Sequence, residues 1–255
     1  MRSNDTSPAA RWLTRMLHWL CWSVIILGSY TDSIAQSEEL GSWNILNVQY
    51  KWNDRLSGMA EGQVRSLRFY NDFHYHEYKG AITYKAMPGL RLTLGAGHYV
   101  TYLPGGDFQK PKVNDEFRIW PHVVLDGVLG RVRIEQRYRW EMRNTSFGYR
   151  NRFRYRLGLS YPFGRMKNGE RPYVLSASNE LFFTDREPYF ERNRAQVAIN
   201  RRLTPNVAVQ LGYLHQFDYR INDETGRDFL VLGLYLELHR RKEQTAISPE
   251  VLPQD

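Results

Sequence analysis

Arg131-Val132-Arg133-Ile134-Glu135-Gln136-Arg137-Tyr138-Arg139-Trp140-Glu141-Met142-Arg143 alternates with a period of two. Val132, Ile134, Tyr138, Trp140 and Met142 fall on one face, and Arg131, Arg133, Glu135, Arg137, Arg139, Glu141 and Arg143 on the other. Successive side chains of a strand point to opposite faces, so this segment is a strand with one apolar and one charged face. Alternation alone does not separate a soluble barrel, apolar inside, from a membrane barrel, apolar outside. The nature of the polar face decides. A cationic side chain turned to lipid at the bilayer midplane costs ~2–4 kcal/mol, so the arginine row belongs in an enclosed interior or in water.

The next strand repeats the pattern, with Arg152, Arg154 and Arg156 on one face and Phe153, Tyr155, Leu157, Leu159 and Tyr161 on the other. Consecutive strands pair, which brings two arginine rows together in one hairpin and calls for carboxylates between them. Glu116, Glu135, Glu141 and Glu180 are in phase to supply these. Only seven of the 32 basic residues beyond Ala35 are lysine. Arginine is preferred where cations pair with carboxylates in a confined space, whereas an aqueous exterior favours lysine, which places the arginines in a lumen.

The same alternation runs through most of the chain in segments of 10 to 13 residues separated by Gly, Pro, Asn and Asp, with no 3.6-residue stripe. Strands are expected near 43–52, 55–66, 74–86, 90–102, 115–126, 131–143, 150–161, 172–183, 192–203, 207–219 and 228–239. That makes eleven segments; bacterial single-chain barrels use even numbers, so the expectation is ten or twelve strands. Asn53-Asp54, Met87-Pro88-Gly89 and Thr204-Pro205-Asn206 are short links, while Pro104 to Asn114, Thr184 to Glu191 and Arg220 to Arg227 are longer and polar. Pro162 to Arg171 is long where a short turn is due. Aromatics at strand ends, namely Trp43, Trp52, Tyr84, Tyr102, Trp140, Tyr161 and Phe183, fit interfacial girdles. The last segment sets Leu230, Leu232, Leu234, Leu236 and Leu238 against Val231, Gly233, Tyr235 and Glu237, as a lipid-facing closing strand would. The fold class expected is an all-β, antiparallel up-and-down transmembrane β-barrel with an Arg/Glu-lined lumen.

Arg2, Arg11 and Arg15 precede the apolar run Leu17 to Gly28, and Ser33-Ile34-Ala35 offers small residues for cleavage. The run is too short to span a bilayer, which takes ~20 residues. The expected organisation is a cleavable signal peptide over 1–35, a barrel domain over 36–241 and a polar, disordered tail over 242–255, with the mature chain in the outer membrane. The only cysteine, Cys21, lies in the leader, so the mature chain has no disulfide, thiolate metal site or cysteine nucleophile. Losing Arg2, Arg11 and Arg15 together with Asp5 and Asp32 takes the net charge from +8 to +7. A basic total admits nucleic acid as a partner, but arginines spread through alternate strand positions do not form one exposed patch with stacking aromatics.

Glu116-Phe117-Arg118-Ile119-Trp120, Arg137 to Arg143 and Arg152 to Leu157 together resemble an uncharacterised family catalogued as domain of unknown function 2490, known mainly from Bacteroidota. The similarity runs from about Trp43 to Leu238. The resemblance implies an outer-membrane β-barrel and carries no activity to transfer.

The arginine rows are the constellation that stands out for function. Arg118, Arg133, Glu135, Arg137, Arg139, Glu141, Arg152, Arg154, Arg156, Glu116 and Glu180 are the candidate lumen-lining residues. By phase, thirteen basic residues (Lys51, Arg65, Lys79, Lys85, Arg91 and Arg194 with the seven arginines just named) face nine acids (Glu61, Glu77, Asp126, Asp218 and Glu237 with the four glutamates). Two readings follow: a salt-bridged plug that fills a closed structural barrel, or a narrow pore whose excess arginines prefer small anionic solutes. In both, the partner is outer-membrane lipid and no catalytic residue, metal or cofactor is expected. Two further functions compete: a barrel enzyme acting on lipid or lipopolysaccharide through a histidine at the bilayer boundary, and a soluble periplasmic barrel with an apolar ligand cavity. His98, His122, His215 and His239 are scattered one per strand, and no serine has a readable partner. His74-Tyr75-His76 puts two imidazoles on one face of an extended segment with Glu77 on the other, which is half a metal site at most. Gly95-Ala96-Gly97 lies mid-strand, where small residues relieve crowding in a lumen rather than cradle a phosphate.

Overall fold

The computed structural model describes residues 39–166, 171–219 and 225–239. The leader expected over 1–35 and the tail expected over 242–255 lie outside the described residues. Eleven strands close into a barrel: β1 (Gly41–Lys51), β2 (Leu56–Arg68), β3 (Asn71–Met87), β4 (Leu90–Tyr102), β5 (Lys112–Leu129), β6 (Val132–Thr145), β7 (Gly148–Phe163), β8 (Tyr173–Thr184), β9 (Phe190–Thr204), β10 (Val207–Asp218) and β11 (Thr225–His239). Each segment read from alternation is present, with bounds moved by a few residues, and there is no helix among the described residues.

The strand number falls between the ten and twelve expected, and the difference lies at the seam. All chain neighbours pair antiparallel, but β1 and β11 pair parallel, in register from Gly41 opposite Phe229 to Lys51 opposite His239. A meander with an even number of strands closes antiparallel; an odd number leaves its first and last strands running the same way. A parallel ladder is slightly weaker per residue, yet it still pairs the two edges that an open sheet would expose.

Connections of a meander alternate between the two ends of the barrel. One end carries the links after β1, β3, β5, β7 and β9, most of them tight. In the first, Asn53 Oδ1 accepts from the backbone N–H groups of Arg55 (2.9 Å) and Leu56 (2.8 Å). In the second, Gly89 takes φ +80°, a left-handed conformation that glycine adopts without a Cβ penalty. The link between β7 and β8, long where a tight turn was expected, is at this end. The other end carries the two-residue turns after β2 and β6 and the longer links after β4 (103–111) and β8 (185–189), together with the link from β10 to β11. The link after β4 folds back on the barrel: Asp72 Oδ1 accepts from Gly105 N (2.5 Å), Asp107 Oδ1 accepts from Phe73 N (2.8 Å), and the Phe108 ring lies 5.3 Å from Tyr102 and 5.5 Å from His76.

Side chains alternate between a buried inner row and an exposed outer row. The outer row is apolar, with Leu46, Ile82, Leu94, Phe117, Val197 and Leu211 among its exposed members. On β11, Val231 and Tyr235 are buried while Leu234 and Leu238 are exposed. Trp52, Tyr84, Tyr161 and Phe183 are exposed at or beside strand ends, Trp140 is exposed within β6, and Tyr102 is half-buried, but Trp43 is not one of that set: it is buried, beneath the Arg65 guanidinium and edge-on to Phe229. Lys85 stands opposite the inward Arg91, in its expected phase, but is exposed near the end of β3, just before the β3–β4 register shift between Lys85 and Met87. Inside, Gly95 makes room for Trp120: a Cβ there would stand 1.8 Å from the indole.

Candidate functional site

The inner face gathers the arginine rows and their carboxylates. In the β6–β7 ladder Arg139 stands opposite Arg154, Arg137 opposite Arg156, and Glu141 opposite Arg152. Like charges at that spacing repel unless counter-charges reach between them. Glu141 does so, accepting from Arg152 Nε (2.7 Å) and Arg154 Nη1 (2.6 Å), with Arg139 at 3.7 Å and Arg118 at 3.9 Å. Glu180 reaches over from β8 to accept two bonds from Arg154 (both 2.9 Å) and one from Arg137 (2.7 Å). Glu116 accepts a fork from Arg118 (2.7 and 2.9 Å) and also bonds Arg143 (3.0 Å). A second network lies nearer the tight-turn end, where Arg91 bridges Asp126 (3.0 Å) and Glu135 (2.9 Å), and Arg133 bonds Asp126 (3.1 Å). Of the eleven candidate residues, ten are buried and Arg133 is half-buried.

Two inward residues escape a reading by strict alternation, and a β-bulge explains each. Opposite Phe182 and Phe183 stand Arg192 and Phe190, so Glu191 is the extra residue; it turns inward to meet Arg152 (3.2 Å) and Arg143 (3.5 Å). Opposite Arg65 and Ser66 stand Tyr75 and Phe73, so His74 is the extra residue. His74 is therefore buried on the inner side together with Tyr75 and Glu77, while His76 packs outside against Tyr78, Tyr102 and Phe108. The pair of imidazoles expected on one face is split between two. Among the described residues no three His, Cys, Asp or Glu side chains are placed to hold a metal ion.

Towards the long-loop end the interior opens into a vestibule of about 670 Å³. Its cationic walls are Arg65, Lys79, Arg118, Arg139, Arg143, Arg150, Arg152, Arg154, Arg186, Arg192, Arg194 and Arg227, against Glu77, Glu116, Glu187, Glu191 and Asp218. Below the Arg139–Arg154 level the side chains no longer line this space. Arg137 is 2 % exposed, and its level-mates Val124, Arg156 and Glu180 are buried as well. Arginines and rings interleave throughout: guanidinium carbons lie 4.7 Å (Arg139) from the Trp120 ring, and 4.6 Å (Arg154), 4.9 Å (Arg194), 5.3 Å (Arg152) and 5.7 Å (Arg192) from Phe182. At the rim, Asp185 accepts from Asn151 Nδ2 (2.8 Å) and Asn151 N (3.1 Å), bonds that hold its carboxyl below the usual carboxylate range.

The histidines scattered through the sequence take different surroundings. His122 is buried and stacked on Trp120, and His239 lies 3.1 Å from Glu237. On the outer face near the long-loop end, His98 Nε2 is 2.5 Å from Asp115 Oδ1 and His215 Nδ1 is 2.7 Å from Asp228 Oδ1. Ser146 Oγ accepts from the backbone N–H of Asp115 (2.8 Å) and makes no hydrogen bond to the imidazole.

The fold and its interior define a class: a closed, eleven-stranded β-barrel with a buried arginine–glutamate network and a basic cavity at one end. The chain belongs to the family described as "Protein of unknown function (DUF2490)", which matches residues 40–227, in keeping with the resemblance read from the arginine and glutamate rows. No curated protein matches it. Among solved structures it is similar to LpxR from Salmonella typhimurium, at 13% identity and a TM-score of 0.43 over 71% of this chain and 83% of that one.

Proposed function

We propose that this protein is an outer-membrane barrel closed to through-flow, whose basic vestibule receives anionic groups from the side of the long loops. The outer row supports residence in a bilayer: it is apolar and exposed, with tryptophan, tyrosine and phenylalanine near the strand ends, as lipid-facing strands require. A soluble barrel carrying an apolar ligand would need the opposite distribution. The observation that carries the closed reading is the burial of Arg137, Arg156, Glu180 and Val124 on the tight-turn side of the vestibule. A water-filled passage would leave the side chains lining it accessible, as the walls of a porin are.

Planar-bilayer recording tests this reading. The purified protein is expected to give no steady conductance in potassium chloride. Steady channels with anion preference, reduced by Arg137→Gln and Arg154→Gln, would replace it with the pore reading.

A second reading, a rim enzyme acting on lipid or lipopolysaccharide, draws on the His98–Asp115 and His215–Asp228 pairs. A carboxylate-oriented imidazole can act as a general base towards water, although neither histidine bonds a serine among the described residues. Release of fatty acid from lipopolysaccharide by the wild-type protein, abolished by His98→Gln or His215→Gln, would favour the enzyme over the binding barrel.

A further inference from the structure

Among the buried arginines of the vestibule one differs from its neighbours. Arg118, Arg143, Arg152 and Arg154 each bond a glutamate, and Arg192 bonds Asp218. Arg194 of β9 is 9 % exposed and has no carboxylate within ion-pair distance among the described residues. Its Nε donates to the neutral Gln216 Oε1 (2.9 Å), and its guanidinium carbon lies 4.9 Å from both the Trp43 and the Phe182 ring. The guanidinium is thus positioned by two aromatic rings and an amide, with neither Nη hydrogen-bonded among the described residues, in the wall of the cavity. Glu180 stands opposite Arg194 in the β8–β9 ladder but is bonded to Arg154 and Arg137, and a buried cation without a bonded counter-charge is costly. Arg65 stands over the same Trp43 ring at 3.3 Å, and Arg192 near the same Phe182 ring at 5.7 Å. Glu77 and Asp218 offset these two, so the excess positive charge of the group centres on Arg194.

We propose that Arg194 is the anchor of an oxyanion site that takes a phosphate group, with Arg65 and Arg192 flanking it. A guanidinium edge with two parallel N–H donors matches two oxygens of a tetrahedral phosphate, and flanking cations favour a dianion over a halide. The phosphate belongs either to a small soluble ion or to a lipid headgroup entering from the loop end, and the chemistry at Arg194 is the same for both. The site rests on the vestibule of the proposed function but does not depend on the barrel being closed.

The test uses the full-length mature barrel refolded in lauryldimethylamine oxide, a detergent without phosphate. Calorimetric titration with inorganic phosphate forms one arm, and titration with mixed micelles containing phosphatidic acid forms the other. Binding in either arm, weakened at least tenfold by Arg194→Gln and unchanged by Arg201→Gln on the outer surface, supports the site. Saturation by inorganic phosphate identifies a soluble ligand, and binding by phosphatidic acid alone identifies a headgroup. Gln216→Leu leaves the charge but frees Nε, and is expected to weaken binding less than Arg194→Gln; it serves as the probe if Arg194→Gln does not refold. No binding in either arm, or wild-type affinity in whichever of the two variants refolds, overturns the proposal. A protein that conducts in a bilayer yet binds phosphate through Arg194 would overturn the closed barrel and leave this site standing.

Discussion

Glu141 shows what holds the interior together. It is fully buried, accepts from Arg152 and Arg154, and lies within 4 Å of Arg118 and Arg139. Removing one member of a buried ion pair strands the other in a low-dielectric site, at about 3–5 kcal/mol. Glu141→Gln is therefore expected to destabilise the barrel by about that amount, read as a lower urea midpoint in detergent. Replacing Glu39, whose contact with Arg68 is exposed on both sides, is expected to change the midpoint little. An equal effect of the two substitutions would mean that the interior network contributes no more than a surface pair. The alternation of arginines was legible from the sequence, and so were Glu116, Glu141 and Glu180 as counter-charges. Arg143's inward partner Glu191 was not, because one extra residue in β9 reverses the phase on which the reading depends.

At the scale of elements, the informative feature is the seam. Local alternation located all eleven strands, because the period of two is written into each segment, but pairing of β1 with β11 joins residues almost two hundred positions apart. No local pattern encodes which edge meets which, or in what direction. Leu46 and Leu234 are register partners across the seam and both point outward. Cysteines introduced at these two positions, with Cys21 replaced, are expected to oxidise to an intramolecular disulfide in the folded barrel, since adjacent strands place such Cα atoms within disulfide range. Failure to cross-link, together with ready cross-linking of a shifted pair such as positions 46 and 236, would show that the seam has another register. The two bulges act at the same scale: each turns an additional charged or polar side chain into the vestibule, Glu191 in one case and His74 in the other.

For the molecule as a whole, a closed sheet has no edge from which to unzip, and the interior network ties non-adjacent strands together, β6 to β8 through Arg137–Glu180 and β7 to β9 through Arg152–Glu191. The protein purified from the membrane fraction is expected to migrate faster unboiled than boiled on a detergent gel; a soluble protein without such a shift would place the apolar row against something other than lipid. The sequence by itself determined the strands, their two faces and the family, because a side-chain period of two and the arginine and glutamate rows are local properties of the chain. Only the tertiary structure decided how many strands close the barrel, which carboxylate serves which arginine, and that Arg194 has no bonded carboxylate among the described residues. Those outcomes depend on closure and register, which bring together side chains from strands far apart in the chain and can be shifted by a single bulged residue.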